Sequence, residues 1–423
     1  MTESLKNALI IEAAAQNMKF MKHTTTQRQT RLGTVLALLA VFTVSTRTMA
    51  QTWQTVLAYQ RVAGKSAAGL CLAADASGNV FSGGEAEDSS SYEHGLVLKT
   101  DTTQGSWFLS DDTNPNPSNY ISEVYNLGFD SVGNLYSVGQ LWPGHGLLPP
   151  YWQVRKSSDR GATWTTVDLY QYPSGSWIDV TGFTADNSGN IYVVGGAVDA
   201  AGDRHWLARK SADGGQTWAL VDDVIGNIAA QAAFVPGVGI FVAGNQGRVG
   251  WTVRRSLDAG TTWATVDAPF QSGAGAWSIT SDSLGNLYVL GSESVTTTTT
   301  KPKKTITYSV WITRKSSDGG NTWSTVDTFT LAQNASAIGH ALGIGASGNV
   351  VAVGQANDAN GTHWIVRMAD SSGAWSTIDN FQLLSGNNSI AKGVVTDATG
   401  NLLVVGQAAR YPTGYYWVVR KLP

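Results

Sequence analysis

The residues best suited to chemistry are far apart in the chain but in step with one another. Glu123 and Asp179 stand at equivalent positions of two consecutive repeats, and Tyr125 lies two residues after the first. Two carboxyl groups held about 5–9 Å apart can serve as acid and base on a glycosidic bond. Trp277 and His340 occupy the place of Tyr125 in later repeats. Aromatic faces beside acidic groups suit stacking on a sugar ring and hydrogen bonding to its hydroxyls. Trp142 and Trp177 complete the set, because with Trp277 they are the tryptophans outside repeated positions. The candidate ligand-binding residues are therefore Trp277, His340, Tyr125, Glu123, Asp179, Trp177 and Trp142. Glu123, Asp179 and Tyr125 are the candidates for catalysis if the protein is an enzyme. Six scattered histidines show no metal-ligand spacing, and there is no phosphate loop, nucleophile elbow or zinc motif. No metal and no cofactor are expected.

The elements that must position these residues come from repetition, the first feature to look for in a long chain. A motif of the form x-G-N-φ-x-φ-φ-G, with φ apolar, ends at Gly84, Gly139, Gly195, Gly244, Gly291, Gly354 and Gly406, at intervals of 47 to 63 residues. Each copy reads as a turn feeding a short apolar strand. Strands of the form W-x-x-R come after it, at Trp152/Arg155, Trp206/Arg209, Trp251/Arg254, Trp311/Arg314, Trp364/Arg367 and Trp417/Arg420, with Leu96/Lys99 the weaker counterpart in the first repeat. Next comes S-x-D-x-G-x-T-W, intact at 157–164, 211–218, 256–263 and 316–323, and then a strand ending V-D or I-D. About four strands per 50 residues, repeated seven times, imply an all-β chain: a seven-bladed β-propeller of four-stranded blades. The seventh repeat lacks its fourth strand, and Thr52-Trp53-Gln54-Thr55-Val56 has that strand's pattern. Residues 52–58 are thus expected to close the last blade. The expected blades are 60–111, 120–168, 177–222, 228–267, 276–327, 337–379 and 388–423 plus 52–58. The Thr-rich insertion at 294–309 in blade five reads as a solvated loop.

Composition agrees with this architecture. Of 423 residues, 47 are Gly and 16 are Trp, and only 14% are charged, against about 25% in an ordinary soluble domain. Helix-rich folds and long disorder are both disfavoured. The apolar run Gly33–Val44, preceded by Lys22, Arg28 and Arg31 and followed by Thr48-Met49-Ala50, has the pattern of a secretory signal peptide covering residues 1–50. Removing its six Lys+Arg and two Glu from the 28 basic and 31 acidic residues leaves a net charge of −7 on residues 51–423. Such a balance gives no footprint for nucleic acid. With no second apolar run to span a membrane after leader removal, an exported monomer is expected. Cys71, the single cysteine, sits in an apolar strand and reads as a small core residue.

The S-x-D-x-G-x-T-W element resembles the Asp-box, or BNR repeat, of the sialidase-like and sortilin-like β-propeller superfamily. The repeats cover nearly all of residues 51–423. The resemblance implies that Asp159, Asp213, Asp258 and Asp318 are structural and lie on the face opposite a sialidase active site. It also implies what sialidase chemistry would require: three arginines converging on a carboxylate, a Tyr/Glu nucleophile pair and an acid/base Asp. The family's Arg-Ile-Pro motif is absent, its nearest approach being Phe234-Val235-Pro236. The six repeated arginines belong to third strands, about 10 Å outside the innermost strand at roughly 4.8 Å per strand. They are expected to tether blades or turns. The resulting expectation is a binding module for a glycan or protein ligand, acting through the loop-rich face opposite the Asp-boxes. The alternative is a divergent sialidase-like glycoside hydrolase.

Overall fold

A computed structural model describes residues 52–423 except 102–104, 115–119, 145–147, 174, 176, 227, 247–249, 272 and 301–302. The expected leader, residues 1–50, lies outside the described residues. The described residues form 28 strands, β1 to β28 in chain order, in seven four-stranded antiparallel sheets. The fold is a seven-bladed β-propeller. Strand β1 (Gln54–Tyr59) pairs with β28 (Tyr415–Leu422), so the N-terminal strand completes the last blade. No described helix is long and apolar enough to cross a membrane.

Tryptophan and glycine set how the blades pack. Trp152, Trp206, Trp251, Trp311, Trp364 and Trp417 are fully buried on third strands. Burying such a side chain contributes on the order of 2–3 kcal/mol. Five of them lie over the repeat glycine of the next blade: a Cβ placed on Gly354 would come within 2.7 Å of the Trp311 ring, and one on Gly195 within 2.9 Å of Trp152. Glycine is needed there for space.

Each repeated arginine reaches the preceding blade. Arg155, Arg209, Arg254, Arg314, Arg367 and Arg420 make two-pronged pairs with Asp111, Asp168, Asp222, Asp267, Asp327 and Asp379, acids of the fourth strands. A β-bulge in every fourth strand, one residue before the acid, brings it round to its partner. Burial pushes Asp111, Asp168, Asp222 and Asp379 above the ordinary carboxyl value despite the guanidinium beside each. Desolvation therefore offsets much of the attraction, and the pairs fix blade register more than they add stability.

Blade one is built differently. Register places Gly95 where other third strands carry Trp, and Leu98 where they carry Arg. The Leu96/Lys99 alignment suggested by sequence spacing is thus one residue out. Lys99 belongs with Lys156, Lys210 and Arg255, which donate to turn carbonyls of the next blade at 2.6–3.0 Å. Opposite Leu98, the acid's place in β1 is taken by Leu57, and the two leucines join one apolar cluster. An ion pair and an apolar pair thus serve as alternative solutions to one junction.

The S-x-D-x-G-x-T-W turns satisfy their own backbone. Ser157 Oγ donates to Asp159 and accepts from Gly161 N–H, both at 2.8 Å, while Asp159 accepts from the N–H groups of Ala162 and Thr163. Gly161 has φ +80°, which suits glycine. The same pattern holds at Asp213 and Asp318, and at Asp258 the Ser256, Gly260 and Thr262 bonds are kept while Thr261 N–H donates to the Asp258 carbonyl. Blade five differs from expectation, because residues 294–300 and 303–309 are strand. Strands β19 (Leu287–Thr300) and β20 (Lys303–Ser316) stay paired along their whole length, with Thr296–Thr307 and Thr298–Thr305 hydroxyl bonds at 2.9 and 3.1 Å. Threonine's β-branched side chain favours that pleated ladder.

The junctions and the turns can each be tested by substitution. Arg367→Met, which leaves Asp327 buried and alone, should cost about 3 kcal/mol in denaturant unfolding. Arg367→Leu combined with Asp327→Leu, copying the Leu98–Leu57 junction, should recover most of that loss. A double variant no more stable than the single one would contradict the equivalence of the two solutions. For the turns, the variable is acid. Hydrogen bonds from the next threonine hold Asp159, Asp213, Asp258 and Asp318 at about 2, below the ordinary 3.8. Their stabilisation is complete above about pH 4 and is lost as pH falls through about 2. Replacing all four by Asn should flatten the fall of Tm between pH 4 and 2, and an unchanged slope would refute the assignment.

Candidate functional site

The inner strand of every blade contains a β-bulge at the same place. The extra residue is Leu70, Tyr125, Thr181, Ala230, Trp277, His340 or Lys392. A bulge re-aims one side chain relative to the pleat, and here all seven are aimed into the axial space. They form a waist halfway along the inner strands. A cavity of about 430 Å³ lies on the side of the loop-rich face, where Ile338 joins the ring. Another of about 430 Å³ lies toward the hairpin turns and is lined further by Asn126, Gln231, Ser278 and Thr280.

Of the seven candidate binding residues, Tyr125, Trp277 and His340 line this space. Each leans toward the loop side, where a polar residue of the same blade's second strand meets it. Tyr125 OH is 3.4 Å from Gln140 Oε1, Trp277 Nε1 is 3.4 Å from Ser292 Oγ, and His340 Nε2 is 3.5 Å from Gln355 Oε1. Burial, and then the nearby Lys392 ammonium, push the His340 imidazole down to about 3, so it is neutral at physiological pH.

Glu123, Asp179 and Trp142 do not line the cavity as expected; they sit behind Tyr125 in a network centred on Gln140. Tyr125 OH donates to Glu123. Gln140 Nε2 donates to Asp179 Oδ1 at 3.0 Å and to Ile178 O at 2.6 Å, and Gln140 Oε1 accepts from Trp142 Nε1 at 3.1 Å. Burial, reinforced by the charge of Glu123, raises Asp179 to about 7. Burial also raises the Tyr125 phenol. Trp177 begins strand β10 (Trp177–Ala185), opposite Val198, and does not line the axial space.

Sequence reasoning missed Gln140, Glu85 and Glu93. Gln140 and Glu85 stand directly after repeat glycines, as do Ser292 and Gln355, and that shared position was the available signal. The segment 85–94 holds the end of β3 (Asn79–Glu87) and the start of β4 (Glu93–Asp101). Because Gly95 replaces the bulky Trp, the inner strand of blade two closes on β4: a Cβ on Gly95 would lie 3.0 Å from the Glu123 backbone. Glu85, Glu93 and Glu123 then bring carboxylate oxygens within 4.8 Å of one another, an arrangement able to ligate a hard cation, which residue spacing did not suggest. Burial and the charges of Glu123 and Glu93 push Glu85 up to about 9. A proton on Glu85 relieves the repulsion without a metal.

The histidines preceding the third-strand Trp position are held between acids and amides. His94 lies between Asp112 and Asp88, His205 between Asp223 and Asp199, and His363 between Asn380 and Asp358. These contacts fasten strand ends on the loop-rich side.

No family model matches the chain, and no curated protein matches it. Solved structures do. The extracellular domain of the one-component system BT4673 from B. thetaiotaomicron superposes with a TM-score of 0.51 at 12% identity, over 87% of this chain and 40% of that one. The Hadza microbial sialidase Hz136 gives a TM-score of 0.46 at 15% identity, over 67% of this chain, which spans about three fifths (62%) of the sialidase. YCF48 bound to D1 peptide gives 0.48 at 11% identity, over 88% of this chain and 96% of that one. At 12% identity the likeness to the BT4673 domain is one of fold alone.

Proposed function

We propose that the protein is an exported binding module that takes a glycan ligand into the axial cavity from the loop-rich face. One observation carries the reading. Repeats that agree almost everywhere differ at the bulged residue of each inner strand, and it is those residues that the bulges turn into one cavity. A structural ring would need only compact side chains there, as Thr181 and Ala230 provide. Trp277 lies back over Gly275, so its ring flanks the loop-side cavity as a stacking surface. We take the S-x-D-x-G-x-T-W turns to be Asp-boxes, which leaves the opposite face for the ligand, and residues 1–50 to be the leader for export. The test is a glycan array: Trp277→Ala should lower the signal of the bound glycans about tenfold or more, while Trp177→Ala, outside the cavity, should not. Binding unaffected by Trp277→Ala would remove the axial site.

A second reading, a divergent sialidase-like hydrolase, is favoured by the Tyr125–Glu123 hydrogen bond and by the raised Asp179 in the same network. Against it, no described arginine lines the cavity, and the six repeated arginines are committed to acids of the preceding blade. Hydrolysis of fluorogenic glycosides, abolished by Glu123→Gln or Asp179→Asn, would establish catalysis. Absence of turnover with intact glycan binding is the outcome expected from the first reading.

A further inference from the structure

The repeated arginines and Arg61 are paired with acids, whereas one largely buried cation is not. The repeated arginines, largely buried, are each matched by an aspartate, and Arg61 pairs with Asp112 at 2.8 Å. Lys392, the bulged residue of blade seven, is largely buried and lines the axial space on both sides of the waist, yet it makes no hydrogen bond or ion pair with any described residue. Glu85 is the acid that acts on it electrostatically, from beyond ion-pair distance. Glu85 is also crowded by Glu123 and Glu93, whose carboxylate oxygens lie within 4.8 Å of its own, so it sits among like charges and is not paired with Lys392. Burying an ammonium without an anion is costly, and burial lowers the Lys392 value accordingly. A fold that pairs its other buried cations so consistently leaves this one facing open space.

The neighbours of Lys392 indicate what fills that space. Trp277, His340 and Lys392 come from blades five, six and seven, so an aromatic face, a neutral imidazole and a cation succeed one another around the ring. Across the axis, Thr181 and Ala230 are small and leave room for a ligand. We propose that Lys392 is an anion-binding residue and that the axial cavity takes an acidic sugar residue, its ring on Trp277, a hydroxyl at His340 and its carboxylate or sulfate on the Lys392 ammonium. The inference rests on the reading of the cavity as a glycan site and names the class of glycan.

The experiment titrates the purified protein by calorimetry with three probes of equal length: oligogalacturonate, a sulfated galactose oligomer and the neutral galactose oligomer. A charge-assisted hydrogen bond predicts that an acidic probe binds at least about tenfold tighter than the neutral one. The two acidic arms decide between carboxylate and sulfate. Lys392→Met should erase the preference, so that acidic and neutral probes bind equally well, while Lys392→Arg, which keeps the charge, should retain it. Thermal melts of both variants confirm folding, and the arginine variant preserves the test if the methionine variant is unstable. Equal binding of acidic and neutral probes by the wild type, or a preference that survives in Lys392→Met, overturns the role of Lys392 and leaves the glycan site standing. Binding of none of the three overturns the inference and the glycan reading together.

Discussion

Everything in this molecule depends on how one sheet packs on the next. The junction has two repeated parts: a buried third-strand tryptophan laid on the next blade's glycine, and a two-pronged arginine–aspartate pair reaching back to the preceding blade. The tryptophan supplies apolar burial, roughly proportional to the area removed from water. The ion pair supplies geometry, because a planar guanidinium accepts a carboxylate in few orientations. Together they set the spacing and rotation of each blade, and so the width of the axial space.

In the first blade both parts are replaced, and the packing changes with them. With Leu98 and Leu57 in one apolar cluster, the first blade meets the N-terminal strand of the last blade through apolar contact. An apolar contact tolerates small errors of alignment that a buried ion pair does not. With Gly95 in place of tryptophan, blade two approaches more closely, and three glutamates of neighbouring strands are pressed together. The departures from the repeat in blade one thus shape the acidic side of the centre.

The axial site is built by a second device, the bulge in each inner strand. Without it, alternation would leave successive side chains facing the two neighbouring blades, and none would be presented to the axis. The extra residue breaks the alternation once per blade, at a fixed distance from the hairpin turn. Seven equivalent positions therefore become a ring whose composition can vary without disturbing the junctions. Trp277, His340, Lys392 and Tyr125 can vary while Trp311, Arg314 and the serine–aspartate turns keep the fold.

Most of the fold was legible in the chain because its determinants are local and repeated. The period gives seven blades, the Gly-Asn turn and the Ser–Asp turn give the hairpins, and the pattern of residues 52–58 gives the closure. The shared position of Tyr125, Trp277 and His340 was also visible, since variation at one fixed offset stands out against a regular background. What the sequence could not decide was direction and proximity. Glu123 and Asp179 share a repeat position yet lie behind Tyr125, because the bulge turns only the residue between β-paired neighbours toward the axis. Glu85 joins Glu123 across a blade junction that closes only because Gly95 is small. The Leu96/Lys99 register was misplaced by one residue, since in a decayed repeat only strand pairing fixes which residue faces which. Repetition is written along the chain and can be read there. The meeting of side chains from different blades depends on how closely two sheets approach, and that distance exists only once the ring is closed.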